Sequence, residues 1–241
     1  MRFYRSLEPI KAMTFDLDDT LYDNWPIIRE VEQKATQWLL QTHPISQQWD
    51  KAQWQAFKFK LIEQNPMLKH DVTEWRYQQV KQGLEHLGYD DPKATDAAKT
   101  LIRHVLEWRS DFDVPHETHR VLSKLSAAMP LVAITNGNVD VDKIGLSQYF
   151  ALVLKAGPDG RAKPFADMFD KAADFLALPR QHILHVGDHV VTDVEGAKRN
   201  GFSACWFNDK GFTPRDTRRM KVLPDVEISD IEQLLELRAE R

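Results

Sequence analysis

Cysteine is nearly absent: Cys205 is the only one in 241 residues. A single thiol excludes an intramolecular disulfide and fits the cytosol. Within the run Ser203-Ala204-Cys205-Trp206-Phe207 it reads as a small apolar filler rather than a reactive group. A basic excess is also missing. There are 32 Lys+Arg against 36 Asp+Glu, a net charge of −4, so the electrostatic footprint of a nucleic-acid surface is not there. No stretch approaches the roughly 18 apolar residues of a membrane span. The opening MRFYRSLEPIKAMTF lacks the apolar segment and small-residue cleavage site of a signal peptide. With 42% hydrophobic residues and no low-complexity tract, the expectation is a cytoplasmic protein with a well-buried core. Its length fits one large domain, or a core carrying a smaller one. Neither nucleic acid nor membrane is expected as a partner, and the oligomeric state is left open.

Two textures divide the chain. Residues 22–113 read as helices with hardly a strand signal. Pro26 suits a first helical turn, and Ile27, Val31, Ala35, Trp38 and Leu39 fall on one stripe. A second helix is expected over residues 47–63. A third begins at Asp71, which with Glu74 has capping-box spacing, and stops near Gly88. The fourth follows Asp91-Pro92, with Ala94, Ala98, Leu101, Val105 and Trp108 inward. Such helices suffice for a small bundle. From about residue 118 strands alternate with helices: strands at 131–135, 150–154, 182–187, 203–207 and 226–228, helices at 117–128, 164–176 and 192–200. That alternation predicts a parallel α/β sheet with helices on both faces. Residues 11–15 supply its first strand. The expected organisation is an α/β core of residues 1–21 and 114–241, with a helical domain of residues 22–113 inserted after the first strand.

In such sheets ligands bind beyond the carboxyl ends of the strands. The first strand ends in Asp16-Leu17-Asp18-Asp19-Thr20. Side chains at i and i+2 of an extended chain point the same way, so Asp16 and Asp18 aim at a common point. Converging carboxylates are costly unless a cation or a shared proton compensates them. The next strand ends in Thr135-Asn136-Gly137-Asn138, Lys163-Pro164 opens a helix, and the run 183–187 leads to Asp188 and Asp193. Each element has a plain reading too: Asn136-Gly137 is a common turn dipeptide, Lys163 suits a solvated surface, and Thr192 with Glu195 has capping-box spacing that puts Asp193 at a helix start. The plain reading is a poor account of Asp16 and Asp188, which end apolar strands directly.

In this order FDLDDT, ITNGN, Lys163-Pro164 and GDHVVTD resemble the four motifs of the haloacid dehalogenase-like (HAD) hydrolases. The helical insert resembles the four-helix cap of that superfamily's first subclass. Over nearly the whole chain, including DVTEWR, DVPHETHRVL and AGPDGRAKPF, the similarity is to bacterial phosphatases of flavin mononucleotide and of phosphorylated ribitylamino-uracil, from riboflavin metabolism. The resemblance implies a Rossmann-like parallel-sheet core and a small phosphorylated metabolite as substrate. It implies Asp16 as a nucleophile forming an aspartyl-phosphate, and Asp18 as general acid and then base. It also implies Mg²⁺ held by the carboxylates of Asp16 and Asp188 and the backbone carbonyl of Asp18. Lys163 is expected to neutralise nucleophile and phosphoryl group, and Thr135 to bind a phosphoryl oxygen with Asn136 as helper. Asp193 is expected to act on the metal through water, or to orient Lys163.

One departure concerns the residue after Asp188. Resembling phosphatases often carry an acid there, and this chain has His189, which implies weaker metal affinity with activity retained. The other histidines show no zinc-ligand spacing. Six of the seven tryptophans precede the second motif; most are expected to pack the bundle. Tyr22 and Trp25, just past the first motif, are the candidates to stack on a planar substrate. Two other classes stay in view: a sugar phosphomutase of the same superfamily, and a phosphate-sensing module that holds the phosphoryl group without turnover. A haloacid dehalogenase is disfavoured, because it needs no proton donor at Asp18.

Overall fold

The strand that begins the first motif lies in the interior of the sheet, which decides where the polar residues gather. The computed structural model describes residues 1–213 and 220–237. Seven strands are assigned: β1 (Arg2–Phe3), β2 (Ala12–Phe15), β3 (Leu131–Thr135), β4 (Leu152–Lys155), β5 (Ile183–Gly187), β6 (Ser203–Phe207) and β7 (Val226–Ile228). Their order is β1-β7-β6-β5-β2-β3-β4. All pairs are parallel except β1 with β7. The registers Phe15↔Ala133 and Phe15↔Val186 bring the carboxyl ends of β2, β3 and β5 level with one another. The two-residue β1 is an addition to the expected strands; so short an edge leaves no pattern in the sequence.

Among the described residues the α-helices of this part are α5 (His116–Ser126), α6 (Asp167–Leu176) and α7 (Gly196–Arg199). Strand residues alternate between two faces. Met13, Phe15, Ala133 and Val186 pack with Val121, Leu122 and Leu125 of α5. Ala12, Val132, Ile134 and Trp206 pack with Met168, Phe169 and Ala172 of α6. Each large apolar side chain so buried contributes about 1.5–3 kcal/mol. The result is a Rossmann-like α/β core. Cys205 is buried within the first of these cores, and burial pushes its thiol above the ordinary range, as a packing residue requires.

Between β2 and β3 run α1 (Trp25–Thr42), α2 (Lys51–Gln64), α3 (Val72–His86) and α4 (Asp91–Trp108). They build a separate core from Val31, Ala35, Val80, Leu84, Ala98, Leu101 and Val105. The sequence explains each start. Pro26 lies in the first turn of α1, Asp50 and Gln53 form a full capping box on α2, and Asp90 caps α4. The second helix therefore begins at Lys51, after a separate 3₁₀ turn at Pro44–Gln48, rather than at residue 47. Asp71 caps α3 through the N–H groups of Thr73 and Glu74. The Glu74 side chain bonds Gln78, so only half of that box forms. Gly83 lets Trp54 of α2 lie against α3, where any Cβ would overlap its ring. Among the described residues, no helix is long and apolar enough to cross a membrane.

The helix expected from residue 164 starts at Asp167, and a cis Lys163–Pro164 peptide precedes it. The helix expected over 192–200 opens as a π-helical turn, Val190–Glu195, capped by the His189 side chain.

Candidate active site

At the carboxyl ends of β2 and β5, four charged side chains meet. Asp16 follows β2 directly, and its N–H donates to the Val186 carbonyl at 2.9 Å. The Lys163 ammonium, 3% exposed, donates to Asp16 Oδ1 at 2.7 Å and pairs with Asp193 Oδ1 at 2.7 Å. Asp193 is 1% exposed. Its Oδ1 also contacts His185 Nε2 at 3.3 Å, and its Oδ2 accepts the His189 N–H at 3.0 Å and the Thr192 hydroxyl at 3.4 Å. His185 in turn pairs through Nδ1 with the Thr14 hydroxyl at 2.8 Å. Thus Asp193, which spacing alone could place as an ordinary helix-start residue, turns inward and holds Lys163. Gly187 permits this, since a Cβ there would overlap the Asp193 carboxylate.

The charges do not balance within the chain. Carboxylate oxygens of Asp16, Asp188 and Asp193 lie within 4.8 Å of one another, against one ammonium. Burial, with the Asp193 charge adding, drives Asp16 well above the usual carboxylate range despite Lys163. Burial, then the charges of Asp193 and Asp19, pushes Asp188 up to about 7. Burial acts the same way on Asp193, but Lys163 and His185 outweigh it and hold Asp193 below the usual range. Burial opposes the charge on Lys163, and Asp16 and Asp193 outweigh it, raising the ammonium above its ordinary value. Burial, with the Lys163 charge adding, pulls His185 below the ordinary imidazole range, against the opposing pull of Asp193.

This oxygen-rich set fits a hard divalent cation. Asp193 is already satisfied by its donors, and Lys163 covers Asp16 Oδ1. Among the described residues Asp16 Oδ2 takes no hydrogen bond, and Asp188 Oδ1 has a 3.5 Å contact to Thr20. The oxygens left for a cation are therefore those of Asp16 and Asp188.

The loop after β3 supplies two more residues. The Thr135 hydroxyl is fully buried and accepts the Gly137 N–H at 2.9 Å, which leaves its own proton free to donate. Asn136 was expected to help bind phosphate. Its amide donates to the Lys163 carbonyl at 3.1 Å and accepts the Lys163 N–H at 2.7 Å, so it clamps the lysine from its backbone.

Asp18 reaches to the helical layer with one oxygen and to the loop after β3 with the other. Its Oδ1 accepts the Tyr22 hydroxyl at 2.6 Å and pairs with Arg109, just beyond α4. Its Oδ2 sits where a Cβ on residue 137 would come within 2.5 Å. Beside it lies a cavity of about 300 Å³ lined by Asn136, Gly137 and Asn138 from the sheet and by Lys58, Trp75, Arg76 and Arg109 from the helical side. The Asn138 amide donates to the Thr73 hydroxyl at 3.0 Å across the gap.

Two sequence expectations change here. Trp25 is 65% exposed and does not line this cavity; Trp75 is the tryptophan that does. Tyr22 is buried against Asp18 and Phe112, held by the carboxylate. His189 is engaged too: its Nδ1 accepts the Thr192 N–H at 3.1 Å as the cap of the π-helical turn. Arg109, His185 and Thr14 went unnoticed in the sequence, because nothing in their spacing links them to the motifs.

A family model for haloacid dehalogenase-like hydrolases matches residues 10–201. The chain belongs to that family. It is 43% identical to the 5-amino-6-(5-phospho-D-ribitylamino)uracil phosphatase YigB of Escherichia coli (strain K12), over 98% of this chain and all of that one. A crystal structure of a 2-haloacid dehalogenase from Pseudomonas syringae pv. Tomato DC3000 superposes with a TM-score of 0.88 at 34% identity, covering 95% of this chain and 97% of that chain. The fold of the HAD-hydrolase YfnB of Bacillus subtilis is also similar, with a TM-score of 0.60 at 21% identity over 95% and 99% of the two chains. The protein is thus an enzyme of this hydrolase family, on the phosphatase side by its full-length similarity to YigB.

Proposed function

We propose that the chain hydrolyses phosphate monoesters of small metabolites through an aspartyl-phosphate on Asp16. The observation that carries this reading is the pairing of Lys163 with one oxygen of Asp16 inside a cluster where carboxylate oxygens of Asp16, Asp188 and Asp193 lie within 4.8 Å of one another. The Asp16 carboxylate attacks phosphorus, a P–O bond to the carboxylate forms and the ester P–O bond breaks. Asp18 gives its proton to the departing alkoxide. A water then loses a proton to Asp18 and attacks the same phosphorus, the P–O bond to Asp16 breaks, and inorganic phosphate leaves with the carboxylate restored. Lys163 balances charge at Asp16 throughout, Asp193 and Asn136 hold Lys163 in place, and the Thr135 hydroxyl donates to a phosphoryl oxygen. Mg²⁺, held by Asp16 and Asp188 with the Asp18 carbonyl, would supply the charge compensation that three carboxylates and an incoming phosphate require.

Residues 22–113 act as a cap on the core of residues 1–21 and 114–241, excluding bulk water from the acyl phosphate. The leaving group belongs in the cavity between them. Its volume of about 300 Å³ accommodates a ribityl chain with a single ring. A second cavity of about 480 Å³, walled by Trp49 and Trp54, shares the Arg76–Glu32 ion pair with the first. A larger ring system such as that of flavin mononucleotide would have to pass that pair. The reaction is assigned to the cytoplasm, in keeping with the single reduced, buried Cys205.

The test is a screen of phosphate esters with and without Mg²⁺, including 5-amino-6-(5-phospho-D-ribitylamino)uracil and flavin mononucleotide, with Asp16→Asn as control. Phosphate release that depends on Mg²⁺ and falls about 10⁴-fold or more in the variant is expected; activity surviving in Asp16→Asn refutes the nucleophile. Isomerised product without free phosphate would establish a mutase. The dehalogenase likeness provides a second reading, tested by halide release from 2-chloropropionate. Asp18, buttressed by Tyr22 and Arg109 at the mouth of the cavity, argues against it.

A further inference from the structure

Arg109 is the first residue beyond α4, on the return crossing from the helical layer to the sheet. Its side chain is 2% exposed and Nη2 pairs with Asp18 Oδ1. Nη1 is also buried and has no hydrogen-bond partner; among the described residues no other buried side-chain nitrogen lacks one. A guanidinium presents five N–H donors and cannot shed its charge. A buried donor left empty carries its full desolvation penalty, and an acceptor brought from outside the chain removes it. Arg109 lines the cavity in which a leaving group belongs. Of the other cations there, Arg76 is already paired with Glu32, and Lys58 sits over the Trp75 ring at 4.3 Å. Arg109 is therefore the cation with an empty donor nearest the reacting groups.

The geometry points to Arg109 as a substrate-binding residue whose Nη1 donates to an oxygen of the leaving group, close to the ester bond that breaks. The inference rests on the phosphatase reading above and deepens it. One arm of the guanidinium holds Asp18, where the ester oxygen departs, so the other arm reaches only the next few atoms of the leaving group. Tyr22 binds the same Asp18 oxygen and fixes the plane of the pair. An oxygen so placed is a hydroxyl on the carbon chain that carries the phosphate. The favoured substrates are accordingly phosphorylated polyols and sugar-like chains, and alkyl phosphates of the same length are disfavoured.

The experiment compares ribitol 5-phosphate with pentyl phosphate in steady-state kinetics with Mg²⁺, for the wild type, Arg109→Gln and Arg109→Lys. The wild type should favour the ribitol ester in kcat/KM by about 30-fold or more, since a site built to bond a hydroxyl rejects the analogue that lacks it. Arg109→Gln should shrink that ratio to about 3-fold, mainly by weakening the ribitol ester, and Arg109→Lys should restore part of it. A purely structural role lowers both esters together and leaves the ratio unchanged. Equal treatment of the two esters by the wild type, or a ratio preserved in both variants, overturns the proposal. The wild-type comparison and the lysine variant decide it even if Arg109→Gln does not fold. Phosphate release from neither ester nor any other in the screen would fail the phosphatase reading itself.

Discussion

The two walls of the site are built on opposite rules. On the sheet side nearly every polar atom has its partner: Asp193 is held by Lys163, His185, His189 and Thr192, and Asn136 grips both backbone groups of Lys163. Gly137 and Gly187 leave room for carboxylates and nothing else. On the helical side the lining is loose, with Lys58 resting on an aromatic face and Arg109 keeping a donor empty. A saturated wall fixes charges in advance of reaction, where electrostatic stabilisation is most effective. An unsaturated wall reserves its interactions for what is bound. On the proposed reading, chemistry and recognition are divided between two layers that meet at Asp18.

The comparison breaks most visibly at Lys163. Replacing it in Lys163→Met leaves Asp16 and Asp193 buried face to face without their cation. Activity should fall about 10³-fold, and the metal-free protein should lose about 3–5 kcal/mol of stability, read by phosphate release and by denaturant melts. A variant that keeps its stability would show that the ion pairs contribute nothing to the sheet-side wall.

A second, smaller effect is the pH dependence of the metal-free protein. The Asp188 pKa is raised to about 7, so the folded state keeps a proton that the unfolded chain gives up near pH 4. The stability this provides is complete below that lower value and is lost as pH rises through about 7. Melting temperature without metal should therefore fall between pH 5 and pH 8. Mg²⁺, which binds the ionised carboxylates, should raise it more at pH 8 than at pH 5. An Mg²⁺ shift independent of pH would exclude Asp188 as a ligand.

The smallest change should come from the recognition wall. Trp75→Ala removes a ring that lines the cavity and whose indole N–H donates to the Lys58 carbonyl at 2.9 Å. KM should rise about 10-fold with kcat kept within about 3-fold. A fall in kcat with KM unchanged would place Trp75 with the chemistry instead.

The same division explains what could be read from the sequence. Asp16 and Asp188 directly follow the buried strands β2 and β5, and an apolar run that stops in a charge is visible in one dimension; Thr135 and Lys163, each with a plain reading of its own, stood out only as part of the ordered set. The helical block was legible from its stripes and its capping residues Asp71 and Pro26. Asp193 was ambiguous because Thr192 and Glu195 imitate a capping box; its partner Lys163 lies thirty residues earlier and leaves no local signal. Arg109 was invisible for the same reason, since Asp18 is 91 positions away. Trp25 was chosen for being near the motif in sequence, but the first turn of α1 faces it outward, whereas Trp75 reaches the cavity from α3.

The chain leaves the sheet through Tyr22 and re-enters it through Arg109, and both grip the same oxygen of Asp18. A rotation of the helical layer about those crossings must tug that oxygen. The layer's position and the aim of the Asp18 carboxylate are then one mechanical coordinate, and no relay is needed between them.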